Sequence, residues 1–182
     1  PRTEPGDEAV LKKGRMDYIA LNYYRTLCAS YLPADRTHPR GLRVFRGNEV
    51  DFDQYGYFRD ERNVNLKTSD YRRYGLPLLI TENGLGAADT FTLEDKIHDD
   101  YRIDYLREHL NACALAIEDG AELMGYSLWS VIDLLSSHQG FRKRYGLVYV
   151  NRDDLDLKDL RRIKKDSYYW YQNVIRTNGE EL

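Results

Sequence analysis

Three apolar runs of strand length constrain this chain more than any other feature of its sequence. Residues 16–24 read Met-Asp-Tyr-Ile-Ala-Leu-Asn-Tyr-Tyr, residues 76–84 read Leu-Pro-Leu-Leu-Ile-Thr-Glu-Asn-Gly, and residues 123–131 read Leu-Met-Gly-Tyr-Ser-Leu-Trp-Ser-Val. A strand with one wet face alternates apolar and polar residues, whereas a nearly continuous apolar run belongs to a strand covered on both faces, as in a parallel sheet. Parallel neighbours need long crossovers, and the interval between the second and third runs supplies one. Over 99–119, Ile103, Leu106, Leu110, Cys113 and Ile117 recur at steps of three and four, with Gly120 at the stop position, which predicts a long helix packed through those five residues. A short helix is expected over 5–14, opening on Asp7-Glu8 and stopping at Gly14. A last helix is expected over 166–178, presenting Trp170, Tyr171, Val174 and Ile175 and closing at Gly179. The short apolar run Leu147-Val148-Tyr149-Val150 precedes it.

Between 25 and 73 the pattern breaks. Pro33, Pro39, Gly41, Gly47 and Gly56 punctuate a charged, tyrosine-rich stretch without a sustained helical period, which reads as loop with one short strand at 42–45. The order of elements makes the chain α/β with buried parallel strands. Each of the three runs carries its polar residues at the C-terminal end. That fits the active-site face of a (β/α)8 barrel, where chemistry sits on the loops that follow the strands.

Composition removes several classes of function. The 27 Lys and Arg against 30 Asp and Glu leave a net charge of -3, so no basic surface recommends nucleic acid as a partner. No apolar run approaches the length that crosses a bilayer, so no membrane role is expected. Cys28 and Cys113 lack a C-x-x-C spacing, which disfavours a zinc ribbon, a redox pair or a disulfide framework and makes a reducing cytoplasm the default location. His38, His98, His109 and His138 form no metal-ligand pattern, and no glycine-rich strand-to-helix turn suggests a nucleotide or redox cofactor. The expectation is an enzyme or binding protein without metal or cofactor. Its 16 tyrosines suit stacked-ligand surfaces as well as core.

Glu82 is the sharpest chemical signal. It ends a buried apolar run and is followed by Asn83-Gly84, so its carboxylate would project from the mouth of a barrel while the glycine allows a sharp turn. Position alone leaves two readings, a nucleophile or general base and a solvated loop acid.

Three sets of residues together resemble the family 1 glycoside hydrolases, retaining β-glycosidases. They are Leu79-Ile80-Thr81-Glu82-Asn83-Gly84, Asn22-Tyr23-Tyr24, and Leu128-Trp129-Ser130-Val131-Ile132-Asp133 followed by Lys143-Arg144-Tyr145-Gly146-Leu147. The resemblance runs from about residue 5 to the C-terminus and implies roughly strands six to eight of a (β/α)8 barrel, an incomplete portion at its C-terminal end. It further implies that Glu82 is the nucleophile, that Tyr24 orients it through a hydrogen bond, and that Trp129 forms the floor beneath the reacting sugar. From spacing alone, plain core is the lesser alternative for Trp129. Asn22 is a candidate sugar contact and also an ordinary strand-end asparagine. Asp17, Asp133 and His98 are taken as structural or solvated.

The loop 136–145 points to a substrate class. Where β-glucosidases of the family carry a sugar-binding glutamate, seven residues after the strand tryptophan, this chain has Ser136. A carboxylate there would repel a phosphate dianion, whereas a hydroxyl can donate to it. With Lys143 and Tyr145 the set resembles the 6-phosphate site of the family's 6-phospho-β-glycosidases. Read bare, it is a serine-rich surface loop with a solvated Lys-Arg pair. Ser137 stands where the phospho-galactosidases carry tryptophan and so leans towards the gluco sugar. His138 is expected on an exposed loop.

The same resemblance shows what these 182 residues do not contain. The family's proton donor lies in an Asn-Glu-Pro motif; the sole Asn-Glu is Asn48-Glu49, followed by Val50. After Lys67-Thr68-Ser69-Asp70-Tyr71 the family has a loop and an amphipathic helix, but here Tyr71 meets Arg72 directly, which suggests an internal deletion near 71–72. The expected function is hydrolysis of 6-phospho-β-glucosides, with this chain supplying nucleophile and phosphate site. A complementing chain carrying the earlier strands is a candidate partner. Alternatives are a β-glucosidase or 6-phospho-β-galactosidase of the same fold, and a non-catalytic remnant or sugar-binding fragment.

Overall fold

A computed structural model describes residues 2–24, 73–92, 94–137 and 139–182, together with the backbone of two short strands at 28–31 and 42–45. The elements in chain order are α1 (Asp7–Lys13), β1 (Ile19–Asn22), β2 (Cys28–Tyr31), β3 (Leu42–Phe45), β4 (Leu78–Asn83), α2 (Asp100–Glu118), β5 (Leu123–Leu128), β6 (Val148–Val150), β7 (Arg162–Lys164) and α3 (Asp166–Arg176). The three apolar runs become β1, β4 and β5, hydrogen-bonded side by side in that order and all parallel. The α/β fold read from the sequence is therefore the one observed.

Two register shifts shape the end of the sheet that carries the polar residues. Leu21 faces Ile80, yet the next residue, Asn22, faces Glu82, so one residue of β4 is skipped. A second irregularity lies between Ile80 and Asn83, where β4 leaves strict pairing with β5. Bulges of this kind twist a strand and re-aim its side chains. Here they act at Thr81 and Glu82.

Two expectations, for the 25–73 interval and for the face of the long helix, need correction. The 25–73 interval holds an antiparallel pair, β2 with β3, from Cys28 opposite Phe45 to Tyr31 opposite Leu42, rather than a lone strand at 42–45. Four residues, Cys-Ala-Ser-Tyr, are too few to display a period of two. The 147–150 run is β6, paired antiparallel with β7. Helix α2 buries Arg102, Tyr105, Leu106, His109, Ala112, Cys113 and Ala116, while Ile117 is 53% exposed. The helix thus turns an arginine and a histidine inward and leaves an isoleucine outside. The sites of the supposed deletion, residues 71 and 72, and of His138 lie outside the described residues.

Among the described residues Leu85, Tyr105, Leu106 and Leu147 form one buried apolar cluster, with Leu128, Tyr168, Trp170 and Tyr171 packed around, and Leu78, Ile80 and Ile97 are buried besides. Beside it lies a buried ionic lattice. Asp89 pairs with Arg102 at 3.0 Å and with Lys165; Asp133 pairs with Arg144 at 3.0 Å and Lys165 at 2.9 Å; Asp99 pairs with Arg102. All six side chains are at most 6% exposed, and three carboxylates meet three cations. Burial alone would push the Asp89 carboxyl up, but the charges of Arg102 and Lys165 overcome it and hold Asp89 below its usual range. The lattice also serves the helices. Asp99, the residue before α2, accepts from the Ser167 N–H at 2.8 Å, so it caps α3 across the interface rather than its own helix.

One consequence is measurable. Asp133→Ala leaves Arg144 and Lys165 buried without their shared partner, a change expected to cost about 3–5 kcal/mol. Urea denaturation followed by tryptophan fluorescence should show it; a loss below 1 kcal/mol would mean that water reaches the pair.

Candidate active site

Glu82 lies one residue before the end of β4, on the side of the sheet where β1 ends. Tyr24, two residues past β1, donates its phenol to Glu82 Oε2 at 2.6 Å, and the Tyr23 N–H donates to the Glu82 carbonyl at 2.9 Å. One short segment thus grips both the side chain and the main chain of the same glutamate. Burial, then the hydrogen bond to Glu82 and that residue's negative charge, raise the Tyr24 phenol well above its ordinary range. It remains a neutral donor, able to fix one carboxylate oxygen while the other stays available.

The segment is itself held from behind. Asn83 Nδ2 donates to the Tyr23 carbonyl at 2.6 Å and to Tyr105 Oη at 3.0 Å, while Tyr105 Oη donates to the Tyr24 carbonyl at 2.8 Å. Tyr126 Oη donates to Asn83 Oδ1 from β5. Asn83 is 1% exposed, so these bonds form without competition from water. The sequence does not single out Tyr105, whose only mark there is a place next to the predicted stripe, one turn before His109.

Asn22 faces Glu82 in register and accepts from Thr81 Oγ1 at 2.6 Å. Trp129 follows β5, its N–H donating to the Asn83 carbonyl at 2.8 Å, and the peptide it forms with Ser130 is cis. The tryptophan is partly buried at the same strand ends as Glu82. Gly84 permits this approach. A Cβ there would lie 2.8 Å from the Trp129 carbonyl carbon and closer still to its oxygen.

Tyr145 meets Tyr24 edge-on with ring centroids 6.3 Å apart, and Lys143 places its ammonium 5.3 Å from the Tyr145 ring centre. Glu82, Tyr24, Tyr145 and Lys143 therefore form a continuous series of contacts. Ser136 is 8% exposed at the base of a tight turn, its backbone paired both ways with Gly140 at 3.0 and 3.1 Å. Ser137 is exposed on that turn. Asp133, taken from sequence as structural or solvated, is structural, and His98 is an exposed residue 2.5 Å from Asp166. Among the described residues no cluster of three His, Cys, Asp or Glu is arranged to hold a metal, and no helix is long and apolar enough to cross a membrane.

The model of glycosyl hydrolase family 1 matches residues 1–180. This chain belongs to that family. Among family 1 relatives, the aryl-phospho-β-D-glucosidase BglC of Bacillus subtilis is 44% identical over 202 aligned positions, covering all of this chain and 42% of the relative. The 6-phospho-β-glucosidase AscB of Escherichia coli is 41% identical, covering 98% of this chain and 38% of the relative. A family 1 β-glucosidase from Thermotoga maritima superimposes with a TM-score of 0.80 at 30% identity, covering 97% of this chain and 38% of that one. The chain thus spans about two-fifths of the length of these family 1 proteins, and its fold is an incomplete portion of their (β/α)8 barrel.

The close approach at Gly84 gives a direct test. Gly84→Ala drives a methyl into the Trp129 main chain, which cannot step aside as a side chain tip can, so a loss above about 3 kcal/mol is expected. A thermal midpoint within two degrees of the parent would show that the strand ends do not meet as described.

Proposed function

We propose that this chain carries the nucleophile and the phosphate-recognition side of a retaining 6-phospho-β-glucosidase. The observation that carries the reading is the 2.6 Å bond from Tyr24 to Glu82 at the polar end of a parallel sheet. An oriented carboxylate in that place, partly open to solvent, suits attack on an anomeric carbon. The carboxylate oxygen not held by Tyr24 forms the new C–O bond as the glycosidic C–O bond breaks and its electron pair leaves with the aglycone. Water later attacks the same carbon, releases the sugar and restores Glu82 as carboxylate. Trp129 is the sugar's floor and Asn22 a hydroxyl contact in this reading.

A general acid must protonate the departing oxygen in the first step and accept a proton from water in the second. The family motif for that residue, Asn-Glu-Pro, does not occur in these 182 residues. The donor therefore belongs to strands that complete the barrel, in the same polypeptide or in a complementing chain. The 182 residues alone are expected not to turn over.

Phosphorylated substrate is supported by the Ser136, Lys143 and Tyr145 set and by the likeness to BglC, an aryl-phospho-β-D-glucosidase, and AscB, a 6-phospho-β-glucosidase. A phosphorylated sugar also fits a cytoplasmic placement, the default for a chain whose two cysteines, Cys28 and Cys113, lack a disulfide or metal spacing. One observation favours a second reading. A 6-phospho-β-galactosidase of Staphylococcus aureus is 48% identical over 109 residues, 59% of this chain. Ser137 argues for the gluco sugar, and rates on the two epimers separate the readings.

Covalent capture tests the nucleophile without needing the acid. A 2-deoxy-2-fluoro-6-phospho-β-glucoside with a dinitrophenolate leaving group departs without protonation and is expected to label Glu82, as seen by peptide mass. Glu82→Gln should abolish labelling, and an adduct on a different carboxylate would refute the assignment. Absence of any adduct in a barrel that binds the reagent would favour a sugar-binding remnant. For the phosphate site, Lys143→Ala is expected to raise KM about tenfold or more for phosphorylated substrate, the size of one lost charge-assisted bond. Equal changes with and without phosphate would discard the site.

A further inference from the structure

The surface opposite Lys143 and Tyr145 is main chain rather than side chain. Residues 84–88 run back past them and are pinned by two bonds, Ala87 N–H to the Arg144 carbonyl at 2.9 Å and Arg144 N–H to the Ala87 carbonyl at 2.8 Å. That antiparallel bridge brings Gly86 against the side chains of the two residues flanking Arg144. A Cβ on Gly86 would lie 2.6 Å from Tyr145 Cζ, 2.8 Å from Lys143 Cγ and closer still to Lys143 Cε.

These collisions differ in kind from the one at Gly84. The three nearest atoms all belong to side chains, two of them near the free ends of a lysine and a tyrosine, and the Gly86 backbone does not adopt a left-handed conformation. Alanine at 86 is therefore permitted by the main chain and relieved by moving two side-chain tips. Nothing in the fold demands glycine here; the positions of Lys143 and Tyr145 do. Beyond Gly86 and Lys143 the surface opens into a cleft of about 720 Å³, bordered also by Gln139, Arg142 and Asp154, which leaves room for a bound anion.

We propose that Gly86 is a positioning residue for phosphate recognition, whose missing Cβ lets the Lys143 ammonium arm and the Tyr145 phenol lie together where both reach the substrate's 6-phosphate. The inference rests on the reading of Ser136, Lys143 and Tyr145 as the phosphate site. An ammonium is a point charge whose attraction falls with distance, so displacing its stem weakens binding of the dianion and leaves the rest of the sugar untouched. Gly86 would then act on substrate choice while contributing little to stability.

The test uses the complete barrel that carries this chain, with Gly86→Ala and Lys143→Ala compared on 4-nitrophenyl 6-phospho-β-glucoside and 4-nitrophenyl β-glucoside. Inhibition by inorganic phosphate and the thermal midpoint are measured alongside. Gly86→Ala is expected to raise KM for the phosphorylated substrate and the inhibition constant for phosphate by about tenfold, with KM for the plain glucoside within about twofold. The midpoint should fall by less than about 3 °C. If Lys143→Ala is selective for phosphate and Gly86→Ala is not, the inference fails while the phosphate site stands. If Lys143→Ala shows no selectivity, the phosphate site fails and the inference with it. A fall of 10 °C or more in Gly86→Ala would place the clash in the fold and overturn the inference equally.

Discussion

The buried lattice of Asp89, Asp99, Asp133, Arg102, Arg144 and Lys165 is the constraint on which the rest of this structure depends. Its members come from the segment after β4, both sides of the start of α2, the segment after β5, the approach to β6 and the residue before α3. Arg102 also donates to the Arg144 carbonyl at 3.0 Å, and Arg144 to the Val150 and Arg152 carbonyls at 2.9 and 2.6 Å. Apolar side chains join these segments too, through the cluster of Leu85, Tyr105, Leu106 and Leu147. Charge adds direction to that joining. Such a lattice is directional, because a guanidinium fork and a carboxylate accept only narrow geometries, and that makes it a good jig for loops.

What the lattice locates is the loop after β5. Asp133 accepts from the Gly146 N–H at 2.9 Å while binding Arg144 and Lys165, so it fixes the turn between Lys143 and Leu147 from inside. A Cβ at Gly146 would fall 2.5 Å from the Ile132 carbonyl carbon, so glycine is what allows the two limbs of the loop to touch. Lys143 and Tyr145 project from this fixed turn towards Gly86 and Tyr24. Lys143 and Tyr145 are thus partly open to solvent, and their foundation is not. The same division holds at β4, where partly open Glu82 stands next to fully buried Asn83.

Legibility in the sequence follows from this division. The three parallel strands were readable from their runs of apolar letters, which suit strands that a closed barrel covers on both faces, although only β4 has fully buried residues here while β1 and β5 combine half-buried with exposed ones. Glu82 was readable as the charge at the end of such a run. The contact face of α2 was readable only in part: Leu106 and Cys113 of the predicted stripe are buried, Ile103 and Leu110 half-buried and Ile117 exposed. Its rule of threes and fours picks out Ile117, but the helix turns to satisfy Arg102, and an arginine in sequence looks like solvent-facing polarity until Asp89 and Asp99 are known to wait for it. Asp89 itself, in Gly-Ala-Ala-Asp-Thr, resembles any loop acid. Periodicity records apolar burial and is silent on charges buried in matched pairs. Tyr105 escaped for a related reason, since a tyrosine on a helix declares its ring and not the carbonyl that its hydroxyl will find.

A parallel sheet of β1, β4 and β5 leaves the outer edges of β1 and β5 without a partner strand among the described residues. Unpaired edges and apolar surface are tolerable only where something else covers them. Helix α1 shows the same demand, with no buried residue and with Val10 and Leu11 each more than two-thirds exposed. A barrel answers it by closing, and in a retaining glycosidase closure also brings the acid to about 5–5.5 Å from the nucleophile. On the proposed reading structural and chemical completeness go together, since the strands that close the barrel over these edges include the one expected to carry the proton donor for Glu82.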